Sequence, residues 1–247
     1  MPYGGRNNQF SSEYTGGINH MKIREGMLIT PEEYVAENLW GRTREAAVKK
    51  VEELRGMIKQ LRSAVEEEKR SEEWNWRPFP SVRISAYYDF IEAAKKYFEA
   101  QGWEFEQTAE DMGEKEFNDR IEQIVYIDFD LFNHGIWVDD VRRRIDFGGR
   151  YVEVVSYYPF YPDDDTEYGR FTIRSRTKSE ILEELRDIRI GRWKPEYYCV
   201  NERESFSDWA LTITFSDGTE KKFKGDECFP YNFRIFTDLL EITLFEY

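Results

Sequence analysis

Histidine and cysteine are nearly missing from this 247-residue chain, with two of each. His20 and His134 are too few for a histidine-rich zinc site, and no Cys-x-x-Cys pair exists to hold a structural zinc. Two cysteines, Cys199 and Cys228, do not make a disulfide framework in a chain of this length, and they read as reduced core thiols. No apolar run approaches the roughly 18 residues that cross a bilayer, and the start, Met1-Pro2-Tyr3-Gly4-Gly5-Arg6-Asn7-Asn8, lacks the apolar centre of a signal peptide. The expected setting is the cytoplasm, with no membrane partner. Both common glycine-rich phosphate cradles are absent, and no serine sits on a strand-turn-helix elbow, so neither a cofactor nor a catalytic triad is expected. Basic residues are also short, 35 against 49 acids, for a net charge of −14. That balance excludes direct nucleic-acid binding by phosphate neutralisation, which needs a cationic surface.

Aromatic side chains are what the chain does have: 17% of its residues are Phe, Tyr or Trp, and 40% are hydrophobic. Such material folds rather than staying disordered. The negative charge is local. Residues 1–100 carry 16 acids and 16 bases, residues 101–168 carry 18 acids and 6 bases, and residues 169–247 carry 15 and 13. A surplus confined to the middle predicts an acidic face rather than general solubilising charge.

Residues 1–29 read as a flexible arm and 30–76 as a helical segment, opened by Thr30-Pro31-Glu32-Glu33, a capping hydroxyl, a first-turn proline and a glutamate three positions on. A long helix is expected from about Thr43 to Arg70, where Val48, Val51, Leu54, Ile58, Leu61 and Val65 form one apolar stripe, a surface that either packs within the fold or joins two copies of the chain. Residues 77–247 read as an α+β domain, with 177–247 separable as a C-terminal subdomain. Helical spacing runs from Ala86 to Ala100, after which the period falls to two at Trp103–Glu106, Ile124–Leu131, Tyr151–Tyr157 and Phe171–Arg174. Thr177-Lys178-Ser179-Glu180 caps a further helix, Trp209–Phe215 and Lys221–Lys224 flank the turn Ser216-Asp217-Gly218-Thr219 as a hairpin, and Asn232–Phe245 closes the chain as a helix. The fold class is α+β: N-terminal helices followed by a mainly antiparallel sheet with packed helices.

Asp128 and Asp130 alternate along one strand and share a face, the arrangement in which two hard oxygen ligands meet a divalent cation. A hydrophobic strand running into Asp-x-Asp resembles the first motif of haloacid-dehalogenase-like phosphatases and the metal pairs of nucleotidyltransferases. That resemblance implies a metal-dependent phosphatase or phosphodiesterase, although Phe132 stands where the phosphatase pattern has Thr or Val. Arg142-Arg143-Arg144 is the basic cluster within the acidic window, and pairing with its neighbouring carboxylates accounts for it. Asp139 and Asp140 precede it. Tyr157, Tyr158 and Tyr161, followed by Asp163, Asp164, Asp165, Glu167 and Tyr168, combine rigid aromatic contact area with charge, the composition of a partner-binding surface.

Ile190–Tyr197, Asp208–Ile213, Asp217-Gly218 and Gly225 through Phe233 resemble a tail carried by uncharacterised bacterial and phage-borne proteins, with Glu227-Cys228 in place of the usual Asn-Ala. Trp193, Trp209, Phe223 and Phe233 are expected to be core anchors of that tail, with Pro230 setting the closing helix. The resemblance implies a phage or mobile-element setting. Combined with the acidic window, it leads to the expectation of a non-enzymatic inhibitor that binds the basic surface of a nucleic-acid-handling protein, either an anti-CRISPR-like nucleic-acid mimic or an immunity protein.

Overall fold

The structure is a computed structural model that describes residues 29–67, 78–133, 140–157, 166–173, 176–199 and 207–239. Its elements follow the order α1 (Pro31–Asn38), α2 (Arg44–Glu66), α3 (Pro80–Ala100), α4 (Ala109–Arg120), β1 (Ile124–Asn133), β2 (Val141–Asp146), β3 (Val152–Tyr157), β4 (Glu167–Ile173), α5 (Lys178–Ile188), β5 (Glu196–Tyr198), β6 (Ser207–Phe215), β7 (Glu220–Asp226) and α6 (Phe233–Leu239). The class is α+β. One seven-stranded sheet runs in the order β4-β3-β2-β1-β6-β7-β5, antiparallel throughout except for the short β5–β7 pair. No described helix is long and apolar enough to cross a membrane.

Local chemistry sets the helix starts. Thr30 accepts a bond from the Glu33 amide while the Glu33 carboxylate accepts from the Thr30 amide, and Thr177 and Glu180 repeat the exchange at α5. The same device opens α4, where Thr108 and Asp111 cap each other. Sequence spacing did not disclose α4, because Phe117 is its one large buried apolar side chain and its other buried residue is Glu114.

Two apolar clusters result. The first gathers α1, α2 and α3 around Tyr34, Leu54, Ile58, Phe90, Ile91 and Phe98. The stripe predicted on α2 lies within this cluster, with Val51, Leu54, Ile58 and Leu61 buried and Val48 and Val65 partly so. Trp103 and Phe105, expected on a strand, lie in no regular element; both rings meet Phe98 edge-on, so burial against α3 rather than sheet pairing explains their alternation.

The second cluster lies between one face of the sheet and α4, α5 and α6. On β1 the residues Ile127, Phe129 and Leu131 point into it, joined by their cross-strand neighbours Ile145 on β2 and Ile213, Leu211 and Trp209 on β6. Trp193, Trp209, Phe223 and Phe233, expected as core anchors, are all buried in it. Trp193 donates to Asn232, whose amide nitrogen donates in turn to the Ile188 carbonyl, and Trp209 donates to the Cys228 carbonyl at 2.8 Å. The tail glycines are steric necessities: a Cβ at Gly225 would lie 2.3 Å from the Trp209 indole nitrogen, and one at Gly191 would lie 2.4 Å from the Glu114 Cα. Tail residues therefore act as architecture.

The cysteines correct the sequence reading. Cys199 and Cys228 form a disulfide across 29 residues of sequence, tying the chain just after β5 to the chain just after β7. Spacing alone carried no information about this, since the parallel β5–β7 pairing brings them to a 5.5 Å Cα separation.

Candidate functional site

Strand alternation sends the other half of each strand to a second face, whose charged side chains are half-exposed or exposed and which also holds the buried Val155 opposite Arg144. Asp128 lies opposite Arg144, and Asp130 opposite Arg142, in the β1–β2 register. Arg144 grips Asp128 with two bonds, Nε to Oδ1 at 2.6 Å and Nη2 to Oδ2 at 3.1 Å, and its guanidinium stacks 4.8 Å from the Tyr126 ring. Arg142 stands further off, with Nε 3.6 Å from Asp130 Oδ1, and lies over the Tyr157 ring at 5.5 Å. Arg143, between them, lies opposite Phe129 and Ser156 in the register. The expected intramolecular pairing of the arginine cluster is therefore present for Arg142 and Arg144. One strand further on, Arg170 bridges Glu153 at 2.6 Å and Glu167 at 2.8 Å.

A cavity of about 330 Å³ opens in this ladder, lined by Asp128, Asp130, the three arginines, Tyr157 and Glu167. Burial raises the Asp130 carboxyl above its ordinary value; Arg142 offsets this in part, and the neighbouring Asp128 adds to it. Glu167 is held below its ordinary value by the Arg170 hydrogen bond.

Of the residues expected to bind a partner, Tyr157 and Glu167 meet at this cavity, on adjacent strands. Asp140 immediately precedes β2 and is half-exposed. Tyr168 falls on the β4 backbone. Asp139, Tyr158, Tyr161, Asp163, Asp164 and Asp165 lie outside the described residues. Both connections containing them, between β1 and β2 and between β3 and β4, leave the sheet from the same end, because the four strands alternate in direction. Each carboxylate of the Asp128–Asp130 pair faces an arginine, and among the described residues no group of three His, Cys, Asp or Glu side chains is placed to hold a metal ion.

A second charged site was not anticipated. Three acids of the window, Glu110, Asp111 and Glu114, ride on α4 into a seam between the two apolar clusters. Arg62 of α2, 3% exposed, donates to Glu66 at 2.9 Å, to Glu110 at 3.1 Å, to the Tyr88 hydroxyl at 3.0 Å and to the Arg192 carbonyl at 3.3 Å. Arg192, 4% exposed, bonds Glu114 and reaches Asp111 at 2.8 Å, with its guanidinium 4.5 Å from the Tyr88 ring. Lys194 reaches Glu66 at 3.3 Å and Glu67 at 2.7 Å, and Arg189 reaches Asp89 at 2.5 Å. Arg189 also adopts the left-handed conformation, φ 58°, where α5 ends and turns toward the seam. Burial pushes the Tyr88 hydroxyl up to about 12, so it stays a protonated donor, and it donates to Glu110 at 3.2 Å.

The acidic window is thus divided. Asp111 and Glu114 of α4 are turned inward against Arg192; Glu110, Glu116 and Asp119 of the same helix stay exposed; and Asp128 and Asp130 stand on the half-exposed sheet face. A comparison with protein-family models, with curated proteins and with solved structures finds no match for this chain.

Proposed function

We propose that the protein is a non-enzymatic interaction protein that docks the basic surface of another protein on the half-exposed face of its sheet, at the β1–β4 end. The observation that carries this reading is the placement of Asp128, Asp130 and Glu167 with Tyr157 around one cavity on adjacent strands. Carboxylates held at strand spacing beside an aromatic ring suit guanidinium and ammonium groups, which gain charge pairing and ring stacking together. The loose 3.6 Å contact between Arg142 and Asp130 leaves that carboxylate open to exchange with an incoming cation.

Such a surface fits partners whose basic patch ordinarily meets phosphates, and an inhibitor of a nucleic-acid-handling protein is the class it serves best. Asp163, Asp164 and Asp165, in the sequence between β3 and β4, belong to the same acidic window. The test is capture from extracts of the native host at low and high salt, with the wild-type chain and with an Asp163→Lys, Asp164→Lys, Asp165→Lys triple variant. A partner retained at low salt, released at high salt and weakened by charge reversal is expected. Retention indifferent to both salt and reversal would falsify the reading.

A further inference from the structure

The chain bends sharply where β7 ends. The Cys228 amide donates to the Asp226 carbonyl at 2.6 Å, closing a three-residue turn around Glu227, and the Glu227 amide donates to the Ser207 carbonyl at 2.9 Å. Glu227 takes φ 50° to do so, a left-handed conformation that costs any residue carrying a Cβ. Just beyond it, the disulfide to Cys199 is the covalent tie on the turn. Its two sulfurs differ in their surroundings. Cys228 is 4% exposed, with its carbonyl held by the Trp209 indole, whereas Cys199 is half-buried directly after β5, a strand that meets β7 over three residue pairs.

We propose that Cys199–Cys228 is an exchangeable disulfide, which a small dithiol opens in the folded protein by attack at Cys199, letting Glu227 leave its strained conformation. Access selects the sulfur, since the attacking thiolate must reach it and Cys228 belongs to the buried cluster. In the first step the thiolate bonds to the Cys199 sulfur, the S–S bond breaks, and Cys228 leaves as a thiolate that takes up a proton. The second thiol of the reagent, deprotonated, then attacks its own sulfur in the mixed disulfide, and Cys199 departs and is protonated. The protein disulfide has gained two electrons and two protons, and the dithiol has become a cyclic disulfide. The opened form keeps its other supports. A buried thiol packs as a small apolar group, and β6 and β7 still pair at seven positions. Tyr197 still anchors β5, with its buried ring 5.8 Å from that of Trp209 and its hydroxyl accepting from the Lys194 amide at 2.9 Å. Opening is therefore local, and the strain released at Glu227 favours it.

The experiment is reduction of the native full-length chain by dithiothreitol, followed by alkylation and peptide mass spectrometry. The proposal predicts a rate proportional to dithiothreitol and flat across low urea, because no unfolding precedes the attack. With 2-mercaptoethanol, the trapped mixed disulfide is expected on Cys199. In buffers of reduced and oxidised dithiothreitol, Glu227→Gly should need about a tenfold higher ratio of reduced to oxidised reagent for half-reduction, because glycine removes the left-handed cost from the closed form alone. A rate that saturates with dithiothreitol and climbs steeply in low urea would overturn the proposal, as would an adduct on Cys228 or equal half-reduction ratios for the wild type and Glu227→Gly.

Discussion

Arginine meets carboxylate twice in this protein, and the two networks differ in what water can do for them. In the seam, Arg62 and Arg192 are almost wholly enclosed, and their partners come from α2, α4 and the β5-proximal turn. On the sheet face, Arg144 and Asp128 face each other across β1 and β2 with side chains 39% and 30% exposed. A buried ion whose partner is removed stays desolvated and uncompensated, while an exposed one is taken up by water. The same residue types thus bind the two apolar clusters together in one place and leave an exchangeable charged surface in the other.

The largest effect should follow from cutting the seam at its hub. Arg62→Met keeps the apolar stem against Tyr231 but strips the charge from beside Glu66, which is fully buried. Lys194, 3.3 Å away, compensates in part. Loss of one partner of a buried pair costs about 3–5 kcal/mol, read as a lowered urea midpoint. A shift as small as that of a surface pair would show that the seam is hydrated and does not differ from the sheet face. Arg62→Met with Glu66→Leu should recover much of the loss, because the orphaned charge is then gone.

The seam was illegible in the sequence for a physical reason. Arg62 and Glu66 stand at i and i+4 on α2, the spacing of any solvated helix pair, and only the docking of the 190–194 turn and Tyr231 encloses them. The helices with threonine caps and apolar stripes were legible, as was the β6–β7 hairpin, because those signals are local. So was the pairing of the arginine cluster with nearby carboxylates, but not its cross-strand form, because β2 looked like a charge cluster rather than a strand, with Ile145 its one fully buried residue. At α4 the Thr108–Asp111 capping box was the available signal, and its aspartate in place of the usual glutamate concealed it. The disulfide depends on a parallel pairing between strands far apart in order, which no spacing rule encodes. Of the candidate site, Tyr157 and Glu167 read from the sequence as partner-binding and Asp128 and Asp130 as a metal pair, but their meeting at one cavity required the strand register.

Acid should separate the two networks by sign. Asp111 of the seam is 10% exposed at its side chain. Burial pushes its carboxyl up, but bonds from Thr108 and the Arg192 charge outweigh this and hold it below its ordinary value. Its contribution is therefore complete above the ordinary carboxylate range near about pH 4 and is lost as pH falls through the lowered folded value. Asp130 on the sheet face is raised instead, so its ionised form costs stability at neutral pH and the cost is relieved as pH falls through its raised value. Asp111→Asn should lower the neutral-pH unfolding free energy, read from urea titration, by about 1–3 kcal/mol, a deficit that shrinks on acidification. Asp130→Asn should leave the midpoint unchanged or slightly higher at neutral pH and lose that advantage in acid. If both variants move the same way at neutral pH, the two sites do not differ as their surroundings imply.

The smallest effect belongs to the Arg144–Asp128 pair. Its geometry is bidentate and short, which favours it, but its exposure allows water and salt to replace most of what Arg144→Met removes. The expected loss is about 0.5–1 kcal/mol at low ionic strength, partly masked by the retained stacking of the side-chain stem on Tyr126, and close to nil in high salt. A double-mutant cycle with Asp128→Asn isolates the pair from that stacking. A coupling that survives high salt would mean that the face is shielded, and the exchange of Asp130's arginine for a partner's cation would then lose its physical basis.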